Sequence, residues 1–358
     1  MPVLVLERRR HIGGNSYTEV DPETGIEFHR YGSHLFHTSN ERVWSFIRQF
    51  TEFNNYRHRV FTRHRGRTYT MPINLMTINR FFDLDLSPSE AERFLRQQAS
   101  AEACDMPRNL EEKAIALVGR PLYEAFIKGY TAKQWETDPR LLPPEIITRL
   151  PVRFSLSDFY FSDTHEGVPI EGYTALFERM LAHPRIKVIT GCDFFEFRRC
   201  INPGTLVVFT GPIDRFFDFR CGALGWRTLD FEIERLPVDD FQGASVVNYA
   251  DTDVRFTRIH EFKHLHPERR RDGRTLIMRE YSRFAGPQDE PYYPVGRPED
   301  RAAYEQYRAL ADTETDVIFG GRLGSYRYLD MHQAIGAALA CYENKIAPRL
   351  KSTFARPV

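Results

Sequence analysis

Apolar positions open the chain as an unbroken run. Val3-Leu4-Val5-Leu6 closes on Glu7, the pattern of a short strand buried on both faces of a parallel sheet. The period then becomes helical. Thr38-Ser39-Asn40-Glu41 forms a capping box ahead of Val43, Phe46, Ile47 and Phe50, which share one helix face. Residues 56–71 predict a basic hairpin turning at Arg65-Gly66. Helical signals dominate from residue 72 to about 145: Ser87-Pro88-Ser89-Glu90 is a second box with proline at the first helical position, and Asn109 opens a helix that stops near Gly119. Strands return after Pro151, at 187–190, 206–210, 245–249, 255–260, 275–281 and 317–319. Asp330, Met331, Ala334, Ile335, Ala338, Leu339 and Tyr342 then mark a closing amphipathic helix.

This order predicts an α/β fold: a Rossmann-like nucleotide-binding core split by a helical insert and an antiparallel sheet. In a βαβ unit of that kind, an acid ending the second strand bonds a ribose hydroxyl, and the glycine-rich phosphate turn lies about 20 residues before it. No residues precede Glu7 that could form that turn. The loop after it, Arg8-Arg9-Arg10-His11-Ile12-Gly13-Gly14-Asn15, is basic and glycine-rich, so its backbone can approach a dinucleotide closely.

Composition narrows the classes. At about 150 residues per domain, 358 residues imply two to three domains. With 49 basic against 49 acidic residues, nothing draws the protein broadly to nucleic acid or to an anionic membrane, so an anionic ligand must be gripped by a few local cations. No apolar run spans a membrane and no signal-peptide core opens the chain. The five cysteines are scattered without a CxxC, which predicts reduced thiols in the cytoplasm. Aromatics make up 13%, enough to line both a core and a stacking site.

Four stretches combine glycine, cations and rings beyond what packing requires. Tyr31-Gly32-Ser33-His34-Leu35-Phe36-His37 allows close approach to a flat ligand, and equally fits turn and core histidines. Residues 126–135, from Phe126 to Trp135, present rings for a base or for helix-end packing. Arg149-Leu150-Pro151-Val152-Arg153-Phe154 with Asp158-Phe159-Tyr160-Phe161 offers forked donors for a diphosphate, or surface ion pairs. Gly320-Gly321-Arg322 with Tyr326 to His332 places a glycine pair, an arginine and a helix N-terminus together, suited to a phosphate or flavin ring. His260, His264 and His266 abut Pro267-Glu268-Arg269-Arg270-Arg271 and are assigned to a solvated charged loop, with no metal. The hairpin with His58 and His64 is assigned to the surface. No GxSxG elbow and no GxxxxGK[ST] loop is present.

Taken in order along the chain, residues 7–15, 31–38 and 128–135, Thr210-Gly211-Pro212-Ile213-Asp214, and Phe319-Gly320-Gly321-Arg322 through Asp330-Met331-His332-Gln333 resemble the bacterial UDP-galactopyranose mutase family. The resemblance implies an isomerase that interconverts UDP-galactopyranose and UDP-galactofuranose for cell-surface polysaccharide. Reduced FAD acts there by covalent catalysis through N5, with NAD(P)H as reductant and a homodimer as the common assembly. It further implies Arg149, Arg258 and His34 as catalytic residues. Phe126, Tyr130, Trp135, Tyr160, Asn248, Tyr281 and Tyr328 are implied for substrate. Glu7, Arg8, Gly13, Gly14, Asn15, His34, Arg322, Asp330 and Met331 are implied for the cofactor, and His37 is a secondary candidate. A mobile loop over 131–140 is expected to close on the nucleotide.

The domain organisation expected from this is a cofactor core of residues 1–71, 186–212 and 312–358, a helical insert of 72–148, and a sheet domain of 149–185 and 213–311. Two departures stand out. Ser33 replaces the alanine more usual in the bacterial family, and the first strand with its GxGxxG turn is absent, from which an internal-methionine start of a longer protein is expected. An inactive nucleotide-sugar-binding remnant and an amine-oxidase-type flavin oxidoreductase are the competing functions. The paired arginines argue against the oxidoreductase, since a hydrophobic amine does not need them.

Overall fold

A computed structural model describes the backbone of residues 1–100, 102, 106–149, 151–269 and 273–354, and the side chains of these except 148, 149 and 351–354. The opening run forms the strand Val3–Glu7, paired in parallel with Ile186–Thr190 from Val3↔Ile186 to Glu7↔Thr190. Val207–Phe209 and Val317–Phe319 form a second parallel pair. Helix Gly172–Leu181 seats Tyr173 and Leu176 in one core with Ile26, Phe28 and Phe36.

A seven-stranded mixed sheet carries the site. Its order is Tyr293–Pro294, Trp226–Leu236, Thr275–Phe284, Arg258–Glu261, Val246–Tyr249, Val60–His64 and Arg67–Met71. The hairpin of residues 60–71 turns at Arg65 and Gly66, both at positive φ, as its sequence predicts. It pairs with Val246–Tyr249 in parallel, so it belongs to this sheet rather than to the cofactor core in which the expected boundary at 71 placed it. Gly172–Leu181 meets the N-terminal strands as well as the sheet, since its core cluster also holds Leu276 and Met278.

The strand Trp226–Leu236, 11 residues long, has no counterpart in the sequence reading. Charges interrupt its alternation, and one of them, Arg227, is itself buried, bonded to Glu136 at 3.0 Å and to Ser282 at 3.1 Å. Helix Pro298–Thr313 was equally illegible, since only Asp300 and Tyr307 are buried on it. The closing helix Met331–Cys341 forms behind the Asp330–Gln333 capping box, yet none of its residues is buried, so its apolar stripe is only partly covered.

The helix opened by Asn109 breaks at Gly119, as expected. Non-helical backbone there (φ 76°, ψ 159°) separates the two helical stretches of Leu110–Leu122, and a Cβ would lie 2.9 Å from Gln98 Cβ on the neighbouring helix Pro88–Ser100. A π-helical turn, Tyr123–Lys128, follows and leads into Gly129–Trp135. That widened turn re-aims the helix and brings Phe126 and Tyr130 onto one wall.

The insert is fastened to the sheet by backbone contact. A Cβ on Gly129 would lie 2.3 Å from the Ala250 carbonyl oxygen, so only glycine permits this approach. One turn on, Lys133 Nζ donates to the carbonyls of Tyr249, Asp251, Val254 and Phe256 at 2.7–3.1 Å. Burial pulls the Lys133 pKa down to about 8, with Asp251 and Asp253 opposing. The ammonium thereby stitches the loop between two sheet strands to the insert. Gly129→Ala and Lys133→Met are each expected to lower unfolding free energy by about 1–3 kcal/mol in denaturant titrations, through overpacking and through orphaned carbonyls respectively. Wild-type stability in both variants would refute this fastening.

Candidate active site

One cavity of about 980 Å³ lies between the seven-stranded sheet, the helical insert and the loops at 31–37 and 158–163. Its floor follows from strand periodicity. Alternate residues of neighbouring strands face it: Val60 and Thr62, Val246 and Asn248, Arg258 and His260, then Glu280, then Arg227 and Leu229. Register aligns them into a row, with Thr62 opposite Asn248, Asn248 opposite Arg258, and Arg258 opposite Glu280.

Arg258 Nε lies 3.3 Å from Glu280 Oε1, and its Nη2 donates to the Tyr130 hydroxyl from the insert wall. Burial works against both charges, but each holds the other: Arg258 is raised above the ordinary arginine value by Glu280, and Glu280 stays below the usual carboxylate range beside Arg258 and His260. The site therefore presents a permanent cation aimed at the cavity. Burial likewise raises the Tyr130 hydroxyl, which stays protonated.

The insert wall contributes Phe126, Tyr130, Thr131, Gln134 and Trp135, backed by Leu110, Ala114 and Val118. Gln134 Oε1 and Asn248 Oδ1 are buried there with no hydrogen-bond partner among the described residues, as expected of a surface that receives a polar ligand. Arg153 donates to the carbonyls of Phe159 and, at 3.0 Å, Tyr160, holding the segment from which Tyr160 and Phe161 line the cavity.

Opposite, His34 lines the cavity, its Nδ1 2.8 Å from the Gly32 carbonyl. Burial pulls its pKa down to about 4, and His58 is pulled down to about 3 for the same reason. Both rings are neutral at physiological pH. His37 stacks on Phe161 with centroids 3.7 Å apart and bonds Asp163 at 2.7 Å.

The same space continues toward the N-terminal strand. Asn15, Tyr31, Asp330 and Met331 line it, and Ser16 Oγ meets Met331 Sδ at 3.5 Å, joining the glycine loop to the start of the closing helix. Glu7 lies at the strand end, accepting from the Arg9 amide at 2.8 Å. Arg9 stacks over Tyr31 at 4.3 Å and bonds Asn15 at 2.8 Å, while its Nη1 is buried without a partner. A Cβ on Gly14 (φ 56°) or on Gly320 would meet nothing within 4 Å, so the backbone there is uncovered. A carboxylate at a strand end, an orphaned guanidinium nitrogen and bare backbone fit a flat dinucleotide group along this edge.

Of the residues implied by resemblance, His34, Phe126, Tyr130, Trp135, Tyr160, Asn248, Arg258, Tyr328, Asn15, Arg322, Asp330 and Met331 meet in the one cavity. Others do not. Tyr281 projects from the opposite sheet face, because it follows Glu280 by one residue, and its hydroxyl bonds Glu232 at 2.8 Å. Arg8 is turned outward to Glu290. Gly13 serves packing, since a Cβ there would sit 3.0 Å from Phe177. Arg322 gives its donors to the Tyr292 and Leu329 carbonyls and lies 5.0 Å over Tyr328, so it positions that ring. The Arg149 side chain lies outside the described residues.

Two assignments made from sequence are corrected. His58, placed on the surface, is 4% exposed and lines the cavity, as does His260, which was assigned to a solvated loop and is 1% exposed. Alternation from Arg258 to His260 was the signal available for the second; the charged run after His266 obscured it. Glu280 had no signal in its local sequence.

Comparisons with known proteins agree with this architecture. A family model described as UDP-galactopyranose mutase matches residues 125–328, and one described as an NAD(P)-binding Rossmann-like domain matches residues 1–50. The chain is 42% identical to a probable UDP-galactopyranose mutase of Klebsiella pneumoniae over 337 residues, 94% of this chain and 86% of that one. It is 39% identical to a dTDP-fucopyranose mutase of Escherichia coli over 350 residues, 95% and 90% of the two chains. A crystal structure of a reduced UDP-galactopyranose mutase superposes with a TM-score of 0.70, covering 97% and 95% at 14% identity, a likeness of fold.

The buried histidines yield a pH test. His34 binds its proton far more weakly folded than unfolded, so the unfolded state binds more protons between about pH 6.5 and 4, and stability falls as pH drops through that window. The His34 ring is expected to stay neutral down to about pH 4 in NMR titration. A midpoint near the ordinary histidine value would contradict its burial.

Proposed function

The chain belongs to the UDP-galactopyranose mutase family, and from that premise we propose that it interconverts UDP-galactopyranose and UDP-galactofuranose in the cavity just described, with FAD along the Glu7–Met331 edge. The observation that carries this is the Thr62–Asn248–Arg258–Glu280 row, which sets one fixed cation among polar groups without partners, facing a wall of rings. Such a site suits a diphosphate held between a stacked base and a sugar.

Each residue's work follows from its chemistry. Arg258 neutralises the diphosphate as it leaves and keeps it in place for return, with Tyr130, Tyr160 and Tyr328 as hydroxyl partners. Arg149 is proposed as the second cation from the segment that ends the insert. Phe126, Tyr130 and Trp135 form the surface for the uracil. Neutral His34 borders the reacting face without adding charge. Reduced FAD, when bound, supplies the nucleophile for the anomeric carbon. Glu7, Gly14, Asn15, Asp330 and Met331 are the residues proposed to hold it, and NAD(P)H is the proposed reductant. A cytoplasmic homodimer is proposed by the same resemblance; among the described residues no helix is long and apolar enough to cross a membrane.

The purified protein, supplied with FAD and reduced, is expected to convert UDP-galactofuranose to UDP-galactopyranose without net consumption of reductant. The assay is run also with dTDP-fucose, the sugar nucleotide named for the Escherichia coli relative. Turnover of neither substrate by flavin-loaded enzyme overturns the assignment. Arg258→Ala and Arg149→Ala are expected to lower turnover by about 10²-fold with flavin retained; flavin loss from folded variants would place the arginines on the cofactor instead.

A further inference from the structure

The residue that ends the ring-bearing helix stands where glycine is expected. Helix Gly129–Trp135 stops at Glu136, whose backbone is left-handed at φ 45° and ψ 36°. A Cβ makes that region costly, so a helix end of this shape ordinarily carries glycine. Here the side chain does what glycine could not. Glu136 Oε2 accepts from Arg227 Nη1 at 3.0 Å and from the Phe284 amide at 2.8 Å, two residues in register on neighbouring strands. Arg227 Nη2 donates to Ser282 Oγ at 3.1 Å, and Ser282 Oγ donates in turn to the Gln134 carbonyl at 2.8 Å. The bonds close a ring from Glu136 through Arg227 and Ser282 back to Gln134.

Arg227 is the fixed point of that ring. Its side chain is 1% exposed, lies over the Phe284 ring at 4.4 Å and lines the cavity floor. The Glu136 side chain is 46% exposed and is not among the residues that line the cavity. What it holds are the two residues before it. Gln134 and Trp135 line the cavity, and they lie between Glu136 and Lys133, whose ammonium is bound by the carbonyls of Tyr249 to Phe256. The wall is therefore pinned on both sides of that pair: Lys133 ties it to the loop before Arg258, and Glu136 ties it to the strands Trp226–Leu236 and Thr275–Phe284.

We propose that Glu136 is a positioning residue for the nucleotide sugar: through Arg227 it fixes the Gln134–Trp135 end of the wall against the floor, and so sets how tightly the ligand is held. The inference rests on the nucleotide-sugar reading given above. A wall already held in its binding geometry removes an ordering cost from association. That gain is the same for the bound ligand and for the reacting one, because Glu136 touches neither, so it appears in KM and not in kcat. The carboxylate acts as the acceptor for two donors, and an uncharged oxygen at the same place can take both bonds.

The test is calorimetric titration of UDP, with steady-state kinetics of the flavin-loaded enzyme, on wild type, Glu136→Gly and Glu136→Gln. Glycine suits the left-handed backbone, so Glu136→Gly removes the carboxylate without straining the chain. It is expected to weaken UDP binding and raise KM by about tenfold, with kcat within about threefold of wild type. Glu136→Gln, whose amide oxygen still accepts from Arg227 and Phe284, is expected to recover affinity to within about threefold. Unchanged UDP affinity in Glu136→Gly overturns the inference. So do tighter binding, which would make Glu136 a restraint on Arg227 as a phosphate ligand, a loss confined to kcat, and an equal loss in Glu136→Gln. Wild-type protein that binds no UDP overturns the nucleotide-sugar reading and this inference with it.

Discussion

An ion pair in the cavity floor, half-open Arg258 with buried Glu280, is the constraint on which the site depends. Glu280 lies where desolvation of a charge costs several kcal/mol, and the attraction of Arg258 offsets that cost only because hydrogen bonds complete the pair. Tyr130 accepts a hydrogen bond from Arg258; His260 Nε2 at 3.0 Å and the Thr257 hydroxyl at 3.5 Å close on the Glu280 carboxylate. For stability alone an apolar pair of similar volume would serve as well. What the pair provides is a guanidinium held rigid beneath a cavity, charged at every accessible pH.

Its surroundings follow from keeping that cation in place. Antiparallel register sets Asn248 and Glu280 on either side of Arg258. The loop before Arg258 is tied to the insert by Lys133 and by the glycine contact at Gly129, so the ring-bearing wall and the cation-bearing floor are fastened at one point. The edge proposed for the cofactor meets the same cavity through Asn15, Tyr31 and Met331. Burial keeps His34 and His58 neutral, so neither ring adds positive charge beside Arg258.

Much of this was legible from sequence where local pattern and tertiary role coincide. The strand ending at Glu7, the hairpin at Arg65-Gly66, the box-capped helix from Pro88 and the aromatic segment from Phe126 to Trp135 carry their own signals and form, although Val3 and Leu4 are exposed rather than buried and Asn40, not Thr38, caps the first helix. What escaped depends on pairing between distant strands. Glu280 acquires meaning only opposite Arg258, and Tyr281 loses its expected place because a one-residue step reverses its face. Trp226–Leu236 was hidden because a buried Arg227 imitates a surface residue. Ser33 and His260, 227 residues apart, form their bond only in the folded chain.

Calorimetric titration of UDP into the wild-type protein and into Arg258→Gln, at low and high salt, tests the central claim most directly. The account predicts one site per chain whose affinity falls at least about tenfold in the variant, with the wild-type affinity weaker at high salt because the Arg258 side chain is partly open to solvent. Equal affinity in the two proteins would contradict it, since the diphosphate would then be held elsewhere.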